Sequence, residues 1–295
     1  MTPPTHRTAL PHHPALPEPL GAPNERHHPM SSATSPAALP SITARTRARS
    51  SSLRGTLGSE WIKFWSVRST WWSLASAFVL MAGCAAVLGM DFAADVEAGE
   101  TSDGSTMGFG EPGDNAVMLA QFAVVAYAML TVTAEFATGA MRVTLTADPR
   151  RGRVLLAKTA VVVAVTAPLA LALAVLGLAL GHATLGPHGV GDAASGARDV
   201  AAVTAYLVLT AVLTVGVGAV LRSSVGTLSG VLTVMLALPM IITTTGSEYL
   251  PGRAGLTLLS GETDALGPVA SGVVLAAWAV AAQAAGYLAL RRRDV

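Results

Sequence analysis

The chain has 295 residues, of which 13% are charged and 52% hydrophobic, and its 19 basic and 18 acidic side chains nearly cancel. A soluble domain carries about 25% charged residues, so this composition is too poor in charge for an ordinary water-facing surface, and no chain-wide basic field favours nucleic acid. One cysteine, Cys84, excludes a disulfide framework and a cysteine-rich zinc site.

Residues 1–50 are rich in Pro, Ser, Thr, Ala and His and lack apolar periodicity, so they read as a disordered tail set apart from the domain at 51–295. The pairs His12-His13 and His27-His28 offer loose metal contacts, but a low-complexity extension is the favoured reading, and Met30 is an alternative start. No apolar core follows a charged start, so the first span is expected to serve for targeting. Next comes residues 53–70. On a helical wheel Leu53, Leu57, Trp61, Phe64 and Trp65 share an arc of about 120°, with Ser59, Lys63 and Ser66 opposite, which predicts a helix lying in the headgroup plane. Glu60 and Arg68 interrupt that stripe, and a plain juxtamembrane linker is the competing reading.

Six stretches then follow without one Asp, Glu, Lys or Arg: 71–90, 116–134, 159–181, 200–221, 225–245 and 269–290. Each is long enough to cross about 30 Å of hydrocarbon as a helix, and a domain of this size has too little interior to hide six of them. The expected fold is therefore all-α, a polytopic membrane protein of six spans. Pro168 and Pro239 are expected to kink the third and fifth spans, and the pairs Gly177/Gly181 and Gly226/Gly230 to allow close helix packing. With the N-terminus inside, the inner segments hold twelve Lys and Arg residues outside the tail, and the outer loops only Arg198 and Arg253. Seven acidic residues from Asp91 to Asp114 fill the first outer loop. Basic residues are retained on the cytoplasmic side, so both termini are predicted to be cytoplasmic.

Intramembrane enzymes and pumps expose ionisable or ligating groups at bilayer depth, and the six stretches contain no His, Asp, Glu, Lys or Arg. There is no H-E-x-x-H pair, no base for a serine nucleophile and no G-x-x-x-x-G-K-[ST] phosphate loop. No catalytic residue, metal site or ATPase site is therefore assigned to this chain. Gln121, Tyr127, Thr131, Tyr206 and Gln283 are the polar groups left within the spans. They read either as interhelical hydrogen bonds or as the lining of a translocation path.

Residues 134–158, after the second span, are too long for a tight connection. Asp148-Pro149 reads as a turn between two short helices, the first presenting Met141, Val143 and Leu145 as an apolar ridge flanked by Glu135 and Arg142. A purely topological role accounts for Arg150, Arg151 and Arg153, but not for Glu135 or Gly139.

Taken together, E-W-x-K at 60–63, V-R-S-T-W-W at 67–72, A-E-F-A-T-G-A-M-R at 134–142, P-R-R-G-R-V-L-L-A-K at 149–158 and a terminal R-R-R-D resemble the type-2 ABC transporter permeases of bacterial exporters. The similarity covers residues 53–295 in order; the family's usual Gly-Glu-Tyr/Phe opening reads Ala134-Glu135-Phe136 here. The resemblance implies an elbow helix at Leu53, Leu57, Glu60, Trp61, Lys63, Phe64 and Trp65. It implies an ATPase-coupling segment at Glu135, Phe136, Thr138, Gly139 and Arg142, with Pro149, Arg151, Arg153 and Lys158 leading into the third span. It also implies a second permease copy or homologue, cytoplasmic ABC ATPase subunits that carry the ATP and Mg, and a place in the bacterial cytoplasmic membrane. The function expected is that of an exporter permease for an amphipathic substrate. A non-transporting membrane anchor or regulator is the alternative, and co-purification with an ATPase discriminates between them.

Overall fold

Five of the six charge-free stretches lie inside a longer helix that carries charges at one end or both. The computed structural model describes residues 53–102, 104–147, 150–261 and 266–292; the tail assigned to 1–50 and the Asp148-Pro149 turn lie outside them. The order is α1 (Leu53–Ser66), α2 (Arg68–Glu97), α3 (Glu111–Ala137), α4 (Ala140–Ala147), α5 (Arg151–Leu185), α6 (Ala193–Leu221), α7 (Ser224–Leu232), α8 (Leu238–Ile241), α9 (Pro251–Ser260) and α10 (Pro268–Arg292). A π turn, Thr233–Ala237, joins α7 to α8. The only strands among the described residues are the parallel two-residue pieces β1 (Met107–Gly108) and β2 (Gly189–Val190).

Among the described residues six helices are long and apolar enough to cross a membrane: α2, α3, α5, α6, the α7–α8 run over Ser224–Ile241, and α10. The chain is an all-α membrane protein by that measure. Successive spans run in opposite directions, so the charges gather at two ends. The basic end holds Lys63, Arg151, Arg153, Lys158, Arg222 and Arg291; the acidic end holds Asp91, Asp95, Glu111, Asp114 and Asp199.

Lipid offers no hydrophobic reward for helix association, so the spans are held by close packing and hydrogen bonds. α3 runs through the middle and is buried on most faces, whereas α2, α7 and α10 bury only one. Glycines set the tightest approaches. A Cβ on Gly113 of α3 would lie 3.0 Å from the Gly177 Cα of α5, and one on Gly286 of α10 would lie 2.9 Å from the Gly216 carbonyl oxygen of α6. Gly181 meets the backbone of Phe109 as closely. The pair Gly226/Gly230 does not serve in this way: a Cβ there would find only ordinary contacts, at 3.5–3.6 Å, with Ser223 and Leu221.

The fifth span ends at Ile241 rather than at residue 245, because Pro239 and the polar run after Ile242 stop it. Pro239 has no N–H for the carbonyl four residues back, on Met235; Gly252 of α9 packs against that oxygen and the proline ring, where a side chain would collide. α9 thus folds back into the bundle at the acidic end, with Gly255 against the ring of Tyr206. Sequence reading leaves this segment as loop, although Pro251 at the first helical position and the left-handed Gly261 (φ +70°) frame a short helix.

Candidate functional site

Lys63 and Lys158 are the only lysines in the chain, and both converge on one spot at the basic end. Lys158, in the second turn of α5, sends its ammonium to Glu60 Oε2 of α1 (2.6 Å), Glu135 Oε1 of α3 (2.8 Å) and the carbonyl oxygen of Thr131 (3.0 Å). Three N–H groups meet three acceptors, which is what a buried ammonium requires. Lys63, on α1, reaches Glu60 Oε1 and Glu135 Oε1, each at 2.9 Å, and donates to Thr144 Oγ1 of α4 at 3.3 Å. The four side chains form a closed ring of alternating sign, electrically neutral, that joins α1, α3, α4 and α5.

Burial within the ring is graded. The side chains of Lys158, Glu60 and Glu135 are 2%, 5% and 12% exposed, and that of Lys63 is 45% exposed. Burial alone would lower the pKa of Lys63, but the hydrogen bonds and charges of Glu60 and Glu135 outweigh it and hold the ammonium above the ordinary lysine value. A cleft of about 380 Å³ opens over the ring, walled by Phe64, Thr70, Tyr127 and Val161.

Local structure explains how the chain reaches this arrangement. Thr56, Glu60 and Phe64 recur every four residues and are the buried face of α1, so Glu60, which interrupts the apolar stripe on the wheel, lies on the side turned to the protein. Phe64 packs edge-on against Tyr127 of α3 at 5.9 Å. Trp61 and Trp65 flank that face and continue through Trp71 at the corner into α2. Leu57 packs partly against the core, and the side chain of Leu53 lies outside the described residues. At the other side, Gly139 (φ +71°) reverses the chain between α3 and α4, where a residue with a Cβ would be strained. The Thr138 hydroxyl donates to Ala134 O at 2.9 Å just before that turn.

The loop differs from its sequence reading in one respect: there is one short helix, α4, and the residues from Arg151 on are the first turns of the long α5. The apolar ridge of α4 is divided accordingly, with Met141 buried and Val143 72% exposed. Arg142 lies on the exposed face of α4. Phe136 sits under the Arg222 guanidinium at 4.9 Å. Arg151 donates to the Leu290 carbonyl, and the adjoining Gly152 meets Tyr287, so this part of α5 leans on α10 and away from the ring. Arg153 lies with Arg151, Tyr287 and Arg291 around a surface pocket between α5 and α10, and Pro149 lies outside the described residues.

The five polar residues singled out within the spans are bonded inside the bundle. The Tyr206 hydroxyl donates to Gln121 Oε1 (2.8 Å), Tyr127 shares a hydrogen bond with Thr166 (2.5 Å), and Gln283 donates to the Val212 carbonyl (2.7 Å). Thr159 donates to Gln283 in turn, at 3.2 Å. These bonds tie α3 to α5 and α6, and α10 to α5 and α6. Thr131 donates to Ala128 of its own helix and borders the cleft above the ring.

Sequence reasoning singles out all four ring residues but does not pair them. It places Asp114 and Arg198 in outer loops, whereas α3 starts at Glu111 and α6 at Ala193, so both lie within helices. Among the described residues no group of three His, Cys, Asp or Glu side chains is disposed to hold a metal ion. No family model matches the chain, and no curated protein matches it.

Proposed function

We propose that this chain is the membrane-spanning permease subunit of an ATP-driven exporter of the ABC type, with the ATP and Mg held by a separate cytoplasmic ATPase. In this reading α1 is the interfacial elbow helix, α4 with the end of α3 is the docking segment, and the basic end with both termini faces the cytoplasm of a bacterium. A second copy or a homologue completes the pathway.

One observation supports the reading above the rest: the Glu60–Lys158–Glu135–Lys63 ring couples α4, the exposed helix at the basic end, to the start of a membrane span and to a helix bearing tryptophans at its edge. A push on α4 is felt at once by α1, α3 and α5, because neutral, fully bonded ion networks resist being pulled apart. Arg142 and Val143 remain exposed on α4 to meet the ATPase.

The test is reconstitution in vesicles with an ATPase that co-purifies with this chain. Arg142→Ala is expected to lower stimulated ATP turnover several-fold while the protein stays inserted, and Glu135→Ala to do so together with a loss of stability. Unchanged turnover in Arg142→Ala, or purification of the chain with no ATPase, favours the membrane-anchor reading instead.

A further inference from the structure

An apolar groove of about 450 Å³ lies where α1, α2 and α5 meet. Its walls include Trp61 and Trp65 of α1, Trp71 and Phe78 of α2, and Val165 and Pro168 of α5, and no charged side chain lines it. From Trp71 to Phe78 it follows α2 for about 10 Å, at about 1.5 Å per residue. Because α2 and α5 are spans, the groove runs from the interface that the tryptophans mark into the hydrocarbon of the basic-end leaflet, over roughly two-thirds of its depth of about 15 Å.

Two observations select an occupant. The first is a set of idle donors. The rings of Trp61, Trp65 and Trp71 touch in sequence, with 5.7 and 4.9 Å between centres, yet none of their Nε1–H groups meets an acceptor among the described residues. Trp278, by contrast, donates to the Tyr249 carbonyl at 2.9 Å. Indoles at a lipid interface bury the ring and take an acceptor at the wet edge, where the ester carbonyls of a glycerophospholipid lie.

The second is an unpaired cation. Arg68 opens α2, is exposed, and makes no ion pair or side-chain hydrogen bond among the described residues. Arg68, Trp71, Ala75 and Phe78 follow the i, i+3, i+7, i+10 spacing of one helix face, so the guanidinium stands one turn nearer the basic end than the groove. No acid lies in the first turn of α2, and Val67 caps it without a side-chain bond. The cation therefore sits on the positive end of the helix dipole, and a phosphate beside it satisfies both.

We infer that this groove binds an anionic glycerophospholipid of the basic-end leaflet. One acyl chain lies between Phe78 and Pro168, the ester carbonyls accept from the indoles, and the headgroup phosphate pairs with Arg68. A zwitterionic lipid offers the same chain and esters but brings its own cation next to Arg68, so a net negative headgroup is preferred. A second copy of this chain fits less well, since it would desolvate Arg68 and three indole N–H groups and would have to supply a partner to each. The inference rests on the membrane-spanning architecture alone, so its test is independent of whether an ATPase docks on α4.

The test uses the full chain in phosphatidylcholine vesicles, with Trp72→Phe and Trp278→Phe so that emission reports only the three groove indoles. Phosphatidylglycerol brominated midway along its chains is included at rising mole fraction, equally brominated phosphatidylcholine is the comparison, and bromine quenching of tryptophan is the readout. Half-maximal quenching is expected at an about fivefold lower mole fraction of phosphatidylglycerol, the preference that one basic residue near the surface confers. Arg68→Gln is expected to remove that preference, and Arg292→Gln, at an exposed position on α10 at the same end, to keep it. Ala164→Phe, which fills the groove from α5 and leaves Arg68 in place, is expected to remove it as well. Equal quenching by the two lipids would mark an ordinary annular layer. A preference that survives Arg68→Gln or Ala164→Phe would place the lipid elsewhere, and no quenching by either lipid would mean that protein covers the groove. Each of these results would overturn the inference.

Discussion

Replacing Lys158 with Met keeps the unbranched chain up to the ε-carbon and removes the charged ammonium. Lys158 is almost wholly enclosed, and its ammonium bonds Glu60 Oε2 and adds a donor to the Thr131 carbonyl. The substitution leaves Glu60 and Glu135 facing each other with only Lys63 between them. Stranding one partner of a buried pair destabilises by about 3–5 kcal/mol. Lys63 is nearly half exposed and open to solvent screening, so it offsets little of this. We therefore expect Lys158→Met to lose about 3 kcal/mol or more. Adding Glu60→Gln should restore part of it, with a coupling energy of about 1–3 kcal/mol. The assay is equilibrium unfolding in mixed micelles followed by tryptophan emission, since Trp61 and Trp65 lie on α1 itself. A loss below about 1 kcal/mol in the single variant, the range of an exposed ion pair, or additive losses in the double variant, would refute the buried ring.

Other predictions follow from single contacts. Gly139→Ala, at φ +71°, should destabilise by about 1–2 kcal/mol in the same unfolding assay and loosen α4, read as faster amide exchange over residues 140–147. Gly252→Ala places a methyl against Met235 O and Pro239 and should cost about 1–3 kcal/mol; an unchanged midpoint would mean that α9 does not pack on the π turn. Tyr206→Phe removes one interhelical hydrogen bond and leaves Gln121 Oε1 without its donor, a loss of about 1–2 kcal/mol. Because the folded pKa of Lys63 is raised, its contribution is fully present below the unfolded lysine value of about 10.4 and is lost as pH climbs through the higher folded value. The emission of Trp61 and Trp65 should therefore stay constant up to about pH 10 and shift only above it, and a Lys63→Met variant should lack that alkaline step.

The six spans are legible in the sequence because lipid excludes charge, and the absence of Asp, Glu, Lys and Arg over 71–90 or 159–181 is a signal that needs no tertiary knowledge. The helix ends are less legible. Glu111, Asp114, Arg198 and Asp199 are polar enough to read as loop, yet they continue α3 and α6 past the apolar core, where a helix still satisfies its own backbone. The ring shows the other limit. Glu60 stands out as an error in an apolar stripe and Lys158 as a lone cation beside a span. What reconciles them is a hydrogen bond between residues 98 apart in sequence. The wheel of α1 does not explain Glu60: it groups residues by apolarity, whereas the structure puts Glu60 on the same buried face as Phe64. α9 is missed because its ten residues carry three glycines or prolines in the first turns, which reads as a break, although Gly252 and Gly255 are there to let the helix touch Met235 and Tyr206.

Everything proposed about coupling requires α4 to lie on the cytoplasmic side. The most direct measurement is maleimide labelling of Val143→Cys, an exposed position on α4, in a Cys84→Ala background so that no other thiol is present. A membrane-impermeant reagent should label it in inverted membrane vesicles and not in intact cells. Labelling in intact cells would place the basic end outside and contradict the account.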